Sequence, residues 1–338
     1  MKGPFTLFGA GAGAVAVAVT LAGCGGSPDA GSDGAELETV VAATASVPSF
    51  VPMYLAQQLG YTQDAGIELD TVAMERGAGP IIAALSNGSV DVAVQSPAVL
   101  AAANESGADL RFFCGSAQLI TSVILTKPDS GIQEATADDW QSAVRSWKGK
   151  TLGIPTLEGA VTYTVRSLIE EAGLAPDDVE LVAVGVGEGA FQTLQSDEID
   201  LLFSFPFFTE QWTERSTVVF DWAEDAPEEM SEVMQTGWMS TKGWLDSNPE
   251  TASNFCDAMT RGVEGVLTES DATREILSDR YSLSGAPIEA AMSEDGPMAS
   301  QSTELDCATT NRALTAAKEA GLLQREHTCE DVVWDQKL

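Results

Sequence analysis

The sequence predicts an α/β protein of two lobes, each a mostly parallel sheet flanked by helices and joined to the other by two hinge crossings. Three observations predict it. Short β-rich runs alternate with helical runs from Thr39 to Asp221, as expected of parallel sheets covered on both faces. The alternation runs through two tandem sets, which argues for two sheets. After Trp238-Met239-Ser240 the strands stop and helices alone follow, so that tail is expected to pack back on the first lobe rather than build a third domain.

The elements follow in order. Thr39–Thr44 (TVVAAT) is a buried strand, and Pro52–Gly60 a helix with proline in its first turn and glycine at its close. Gly66–Val72 alternates with period two, as a strand does. Gly79-Pro80 opens a helix that runs to Asn87-Gly88, Val90–Val94 is a strand, Ser96-Pro97 opens another helix, and Leu110–Phe113 is a strand ending at Cys114. The second set has strands at Ser122–Thr126, Lys150–Pro155, Val179–Val184, Glu198–Phe203 and Val218–Asp221. Its helices are Asp138–Trp147, Ala160–Ala172, a short one opened by Gly189-Ala190-Phe191, and one opened by Pro206. The tail carries helices at Pro249–Leu267, Asp271–Leu283, Pro287–Met292 and Leu305–Ala320. A tail that returns to the first lobe needs two crossings, placed near Thr121-Ser122 and near Trp238 to Lys242. Residues 37–121 with 244–338 then form the first lobe and residues 122–243 the second.

Ahead of this lies a leader. Met1-Lys2 is a basic start, and Phe5–Ala22 is apolar and rich in Ala, Gly and Val, the pattern of a secretory signal peptide and marginal for a membrane span. Leu21-Ala22-Gly23-Cys24 resembles the bacterial lipobox. Residues 1–24 are read as a lipoprotein signal ending at lipidated Cys24, and residues 25–36, polar and glycine-rich, as a flexible tether. The location expected is the extracytoplasmic face of the cell membrane.

Of 338 residues, 51 are acidic and 17 basic, a formal net charge of -34. Nucleic-acid binding is excluded as a function class, because phosphate neutralisation needs a basic stripe and none is present. Besides Cys24 there are four cysteines, Cys114, Cys256, Cys307 and Cys329, all within the first lobe as drawn. An even number in an exported chain suggests two disulfides, with three connectivities open and free buried thiols as the alternative. Their spacings do not suit a paired-CxxC zinc site. The one histidine, His327, leaves little room for a Ser-His-Asp or Cys-His nucleophile. No metal or cofactor is expected.

Several stretches carry a family resemblance. Val47–Ala56 (VPSFVPMYLA) with Gly66-Ile67, Leu85–Ala93 (LSNGSVDVA), Trp147–Pro155 (WKGKTLGIP), Glu171–Val179 (EAGLAPDDV) and, more weakly, Leu194–Asp200 (LQSDEID) resemble the solute-binding proteins of ATP-driven importers, in the nitrate, sulfonate, taurine and thiamine-precursor group. The similarity covers most of Val40 to Trp244. It implies a periplasmic-binding-protein fold of the second type, a monomer that closes on one small molecule and delivers it to a membrane permease driven by an ATPase. It implies no enzyme. Two other readings are a thiamine-precursor-synthase-like enzyme, which needs a histidine and clustered cysteines, and a surface sensor or adhesin on the same fold.

In open parallel sheets ligands bind outside the carboxyl ends of the strands, at helix N-termini. The loops so placed supply Ser49, Phe50, Arg76, Gly77, Gly79, Gln95, Ser96, Thr156, Glu158, Gly159, Gly189, Phe191, Ser204 and Phe205. Phe50 and Phe205 are expected to flank the ligand, with Phe191 near them. Ser49, Ser96 and Ser204 are expected to hydrogen-bond it, Arg76 or Glu158 to set the charge preference, and N–H groups at Gly79 and Gly159 to complete the contacts. A planar heteroaromatic ligand, such as a pyrimidine precursor of thiamine, is favoured over a sulfonate clamped by Arg76.

Overall fold

A computed structural model describes residues 37–74, 77–157, 160–294 and 296–337. The leader, Cys24, the tether and three of the candidate site residues, Arg76, Glu158 and Gly159, lie outside them. Ten strands are present among the described residues: β1 (Glu38–Thr44), β2 (Ile67–Ala73), β3 (Val92–Gln95), β4 (Leu110–Ala117), β5 (Val123–Thr126), β6 (Thr151–Ile154), β7 (Glu180–Ala183), β8 (Leu201–Ser204), β9 (Thr217–Asp221) and β10 (Thr236–Thr241). They form two five-stranded sheets of one plan, ordered β2-β1-β3-β10-β4 and β7-β6-β8-β5-β9. In the first, β1 is parallel to β2 and β3, while β10 is antiparallel to β3 and β4. In the second, β6 is parallel to β7 and β8, while β5 is antiparallel to β8 and β9. Each antiparallel strand is the one that follows a crossing.

The second crossing differs from expectation. β10 contains Trp238 and lies inside the first sheet, so the chain crosses back over residues 222–235 and not at 238–242, and residues 236–243 do not belong with the second sheet. Packing explains why. Trp238 sets its ring edge-on against Phe50 at 5.6 Å and against Phe255 at 4.9 Å, while the next residue, Met239, joins the core on the opposite face with Phe112 and Leu314. Only a strand covered on both faces buries consecutive apolar residues in this way. Gly237 in β10 is closely packed: a Cβ there would lie 2.3 Å from Cε of the flexible Met234 side chain and 3.0 Å from Cδ1 of Phe112, so those side chains would have to shift.

Most of the tail packs on the first sheet's helices. The helix Pro249–Thr268 lies against the helix Val51–Gln58, and the two come so close at Gly262 that a Cβ would meet the carbonyl oxygen of Pro52 at 2.2 Å. The helix Cys307–Glu319 lies against Pro97–Glu105. Residues 301–303 add to the outer edge of β4, with the Gly115 N–H donating to Thr303 at 2.9 Å and the Ser302 N–H to Ser116 at 3.1 Å, which covers an otherwise open edge. One short piece departs from the expectation: the helix Ala286–Ala291 packs on the helix Phe208–Trp212 of the second lobe.

Both disulfides are in the first lobe. Cys114–Cys256 ties β4 to the helix Pro249–Thr268, and Cys307–Cys329 ties the start of one tail helix to the short helix Cys329–Val332. The 22-residue separation of the second pair makes it worth roughly 3 kcal/mol in lost unfolded-chain entropy.

One carboxylate, together with the Cys307–Cys329 disulfide, helps to dock the last segment. Glu105 accepts hydrogen bonds from the backbone N–H groups of Gln324 and Arg325 at 2.9–3.0 Å, and its Oε1 lies 3.0 Å from Nε2 of His327. Those backbone donors first, and His327 after them, hold the Glu105 carboxyl down at about 2. A depressed carboxylate adds stability that is present above its ordinary value of 4.5 and disappears as pH falls towards 2. Glu105→Gln is therefore expected to lower the thermal midpoint at pH 7, and the gap from wild type is expected to close as the comparison is repeated towards pH 2. A gap independent of pH would show that the carboxylate charge plays no part in docking.

Candidate ligand-binding cleft

The carboxyl ends of the parallel strands place six loops: those after β1, β2 and β3 on the first sheet and those after β6, β7 and β8 on the second. Each leads into a helix or helical turn, because the residue types there suit the turn. Ser96 caps its helix by accepting from the Val99 N–H at 3.4 Å, with Pro97 in the first turn. Gly77 and Gly187, both at φ 78°, begin the helices Ala78–Ser86 and Glu188–Gln195.

The candidate residues divide. Gly77 and Thr156 are exposed in these loops, Gly79 and Gly189 are exposed in the first turns of the helices that follow, Gln95 and Ser96 are half-buried at the end of β3, and the Thr156 carbonyl accepts from Oγ1 of Thr162 at 2.9 Å. Two hydroxyls are engaged by protein partners. Ser49 Oγ lies 3.3 Å from Oγ1 of Thr236, and Ser204 Oγ lies 2.8 Å from Oγ1 of Thr209. The aromatic assignments change. Phe191 is fully buried, stacked on Trp212 at 4.5 Å with 10° between the planes, and the Arg215 guanidinium lies 4.7 Å from its centroid. Phe50 is 3 % exposed, with Trp238 on its flank. Both are core residues, and the reason is helical phase. Phe191 shares the inward face of its helix with Ala190 and Leu194, and Phe50 leads directly into the buried first turn of Val51–Gln58. Phe205, half-buried and edge-on to Phe203 at 5.1 Å, retains surface.

Apolar groups that sequence reasoning missed sit in the same loops. Val47, after β1, is 40 % exposed; Leu157, after β6, is 50 % exposed; Val186, after β7, is 57 % exposed. Together with Phe205 they give the strand-end loops of both lobes an uncovered apolar surface. Among the described residues these loops hold no basic side chain, and their one carboxylate, Glu188, is turned to Arg215 at 3.5 Å and to the Trp212 indole N–H at 3.0 Å. In the sequence this surface is marked only by apolar residues in strand-to-helix loops, where polar ones are usual.

An aromatic contact runs between the lobes: the Phe207 ring, from the loop after β8, lies 4.7 Å from the ring of Tyr281 at the end of the tail helix Ser270–Tyr281, and within the first lobe the Tyr281 hydroxyl donates to the Val47 carbonyl at 3.0 Å. Beside it, a cavity of about 410 Å³ opens between the second lobe and the tail, with Leu119 and Thr121 of the first crossing in its wall. Glu210, Asp221, Glu224 and Glu294 line it, and no basic side chain does among the described residues. Burial pushes Glu210 up to about 7, against the pull of its own and the Phe207 N–H groups and with a small push from Asp221. Burial likewise raises Asp221 to about 6, opposed by the Ala223 N–H and helped by Glu224 and Asp225.

Comparison with known proteins places this geometry. The sequence profile of the family described as NMT1/THI5 like matches residues 47–272, about two thirds of the chain. No curated protein sequence matches. Among solved structures, the periplasmic aliphatic sulphonate binding protein of Escherichia coli superposes with a TM-score of 0.72 at 14 % identity, over 88 % of this chain and 92 % of that one. The alkanesulfonate-binding protein of Xanthomonas axonopodis pv. citri, bound to MOPS, gives 0.69 at 14 % identity, over 89 % and 99 %. The periplasmic nitrate-binding protein of Synechocystis PCC 6803 gives 0.66 at 13 % identity, over 86 % and 83 %. At such identities these likenesses establish the fold.

Truncating the two phenylalanines separates core from cleft. Phe191→Ala is expected to cost about 3–5 kcal/mol of stability in chemical denaturation. Phe205→Ala is expected to leave the denaturation curve nearly unmoved while weakening ligand binding by calorimetry, and equal affinity in wild type and variant would remove Phe205 from the site.

Proposed function

The chain belongs to the NMT1/THI5-like family, and from that premise we propose that it is the solute-binding lipoprotein of an ATP-driven importer, anchored outside the cell through Cys24. It captures a small organic molecule between its lobes and delivers it to a permease. The observation that carries the reading is the pair of parallel sheets joined by two crossings, whose strand-end loops leave Val47 uncovered in the first lobe and Leu157, Val186 and part of Phe205 uncovered in the second. An uncovered apolar surface at the mouth of helix-opening loops suits a ligand with a flat or apolar body and a few polar edges. A heteroaromatic solute of the thiamine-pyrimidine kind fits it better than a bare anion, for which the described loops offer no guanidinium or ammonium.

The state of the histidine and cysteines supports the binding reading over the enzyme alternative. The synthase-like reading needs a histidine to consume and cysteines to hold metal, whereas His327 is buried against Glu105 and Cys114, Cys256, Cys307 and Cys329 are paired in disulfides. The disulfides also support an oxidising, extracytoplasmic location.

Small molecules released from the purified, denatured protein are to be identified by mass spectrometry, and calorimetry run against an aminopyrimidine and an alkanesulfonate. The reading expects a neutral or cationic heteroaromatic in the extract and heat from the aminopyrimidine alone. Binding of the sulfonate alone would overturn the ligand class and move the charge-setting role to Arg76.

A further inference from the structure

Phe207 has a backbone that a phenylalanine rarely adopts. Its φ of 75° and ψ of −36° fall outside the regions open to a bulky L-residue and near the uncommon, strained γ-turn of positive φ. Such a conformation persists where neighbours enforce it. Two do so here. The Glu210 carboxylate reaches back three residues and accepts the Phe207 N–H. The ring, 4 % exposed, leaves its own lobe and joins the first lobe's core, against Tyr281. Tyr281 in turn donates to Val47 in the loop after β1. The strained residue is thus the point at which the second lobe is held by the first, beside the mouth of the candidate cleft.

Glu210 itself is 9 % exposed and faces the cavity between the second lobe and the tail. The groups that face it from the surrounding elements are all acidic or already paired. Asp221 stands at the end of β9, Glu224 in the turn after it, and Glu294 beyond the helix Ala286–Ala291. On that helix Glu289 is paired with Arg274. Next to Tyr281, Arg280 lies over the Tyr54 ring at 3.8 Å. On the Glu210 helix, Phe208–Trp212, no other residue is charged, and Arg215 beyond it is turned to Glu188. A negative charge on Glu210 therefore has no cation to meet it when the lobes are together, and regains water when they part.

We propose that Phe207 and Tyr281 form a clasp across the cleft, that Glu210 is the residue that positions Phe207 for it, and that a proton on Glu210 strengthens lobe closure. It rests on the reading of the chain as a hinged solute binder. The sign follows from the burial of the carboxyl. In the closed form burial holds Glu210 up at about 7, and in the open form water returns it towards its ordinary 4.5. Between those values closing takes up a proton, so closure gains as pH falls from about 8 to about 5 and is flat above and below. A protonated carboxyl still accepts the Phe207 N–H through its carbonyl oxygen, so the cap survives the proton.

The test is amide hydrogen exchange of the full chain by mass spectrometry, at pH 5.5 and pH 8.0, corrected for intrinsic rates, with no solute added. Peptides covering Phe205–Gln211 and Tyr281 are expected to be about tenfold better protected at pH 5.5, while peptides in β3 do not change. In Glu210→Gln, which keeps an oxygen for the Phe207 N–H and cannot titrate, made in an Asp221→Asn background so that the other raised carboxyl of the cavity is silent too, protection is expected to be high and equal at both pH values, whereas Asp221→Asn alone is expected to keep a pH dependence. In Phe207→Ala the Tyr281 peptide is expected to lose protection at both. Equal protection of the wild type at the two pH values overturns the proposal, without need of any variant, and so does a pH dependence that survives in the Glu210→Gln, Asp221→Asn double variant. A chain that retains no small molecule yet shows the pH-dependent protection would sink the binding reading and leave the clasp; a solute-loaded chain with flat protection would do the reverse.

Discussion

Everything in this molecule depends on the way each sheet takes its antiparallel strand from a crossing. β5 enters the second sheet straight from β4 of the first, and β10 enters the first after β9 of the second. Both are interior strands, paired on two sides, so neither crossing can slide without breaking two ladders. The lobes are linked along the chain through residues 118–122 and 222–235, and Trp222 and Met230 of the second connection pack in the second lobe's core. Each sheet carries helix-opening loops at the carboxyl ends of its parallel strands, the place where open α/β sheets bind ligands.

The two lobes are stabilised by different means. The first carries both disulfides, the Glu105-docked C-terminal segment and an interior strand with apolar residues buried on both faces. The second has no cysteine and depends on aromatic packing, with Trp147, Phe203, Trp222 and Trp140 gathered around or beside Phe220. A braced platform and a lighter partner suit a protein in which one half moves against the other. The uncompensated carboxylates, Glu210 and Asp221, belong to the moving half and face the tail of the platform. Lobe closure is therefore coupled to solvent and to protons there, and not in the apolar loops where the solute is proposed to sit.

Much of the architecture was legible because strands and helices of an α/β protein repeat at short range. The β-rich runs at Thr39–Thr44, Lys150–Pro155 and Val218–Asp221 carry their own periodicity, and all lie where strands are found. β10 escaped for the opposite reason: its place between β3 and β4 is settled by long-range contacts of Trp238 with Phe50 and Phe255, and the chain before it comes from the other lobe. The site was legible as a set of loops and less so as side chains. A loop position predicted exposure for Phe191, but one turn of helix rotated it into the core beside Trp212. Phe207, Glu210 and Tyr281 come together only through the fold. The single local sign was a glutamate three residues after a phenylalanine in the run Phe205-Pro206-Phe207-Phe208.

The central claim is that a solute lies between the lobes, at the ends of the parallel strands. The most direct measurement is a crystal structure of the chain isolated with the small molecule it carries. The account predicts density for a flat or apolar body touching Val47 on one side and Leu157, Val186 or Phe205 on the other, with the lobes closed over it. Density confined to the outer surface of one lobe, or lodged only in the cavity among Glu210, Asp221 and Glu294, would contradict it.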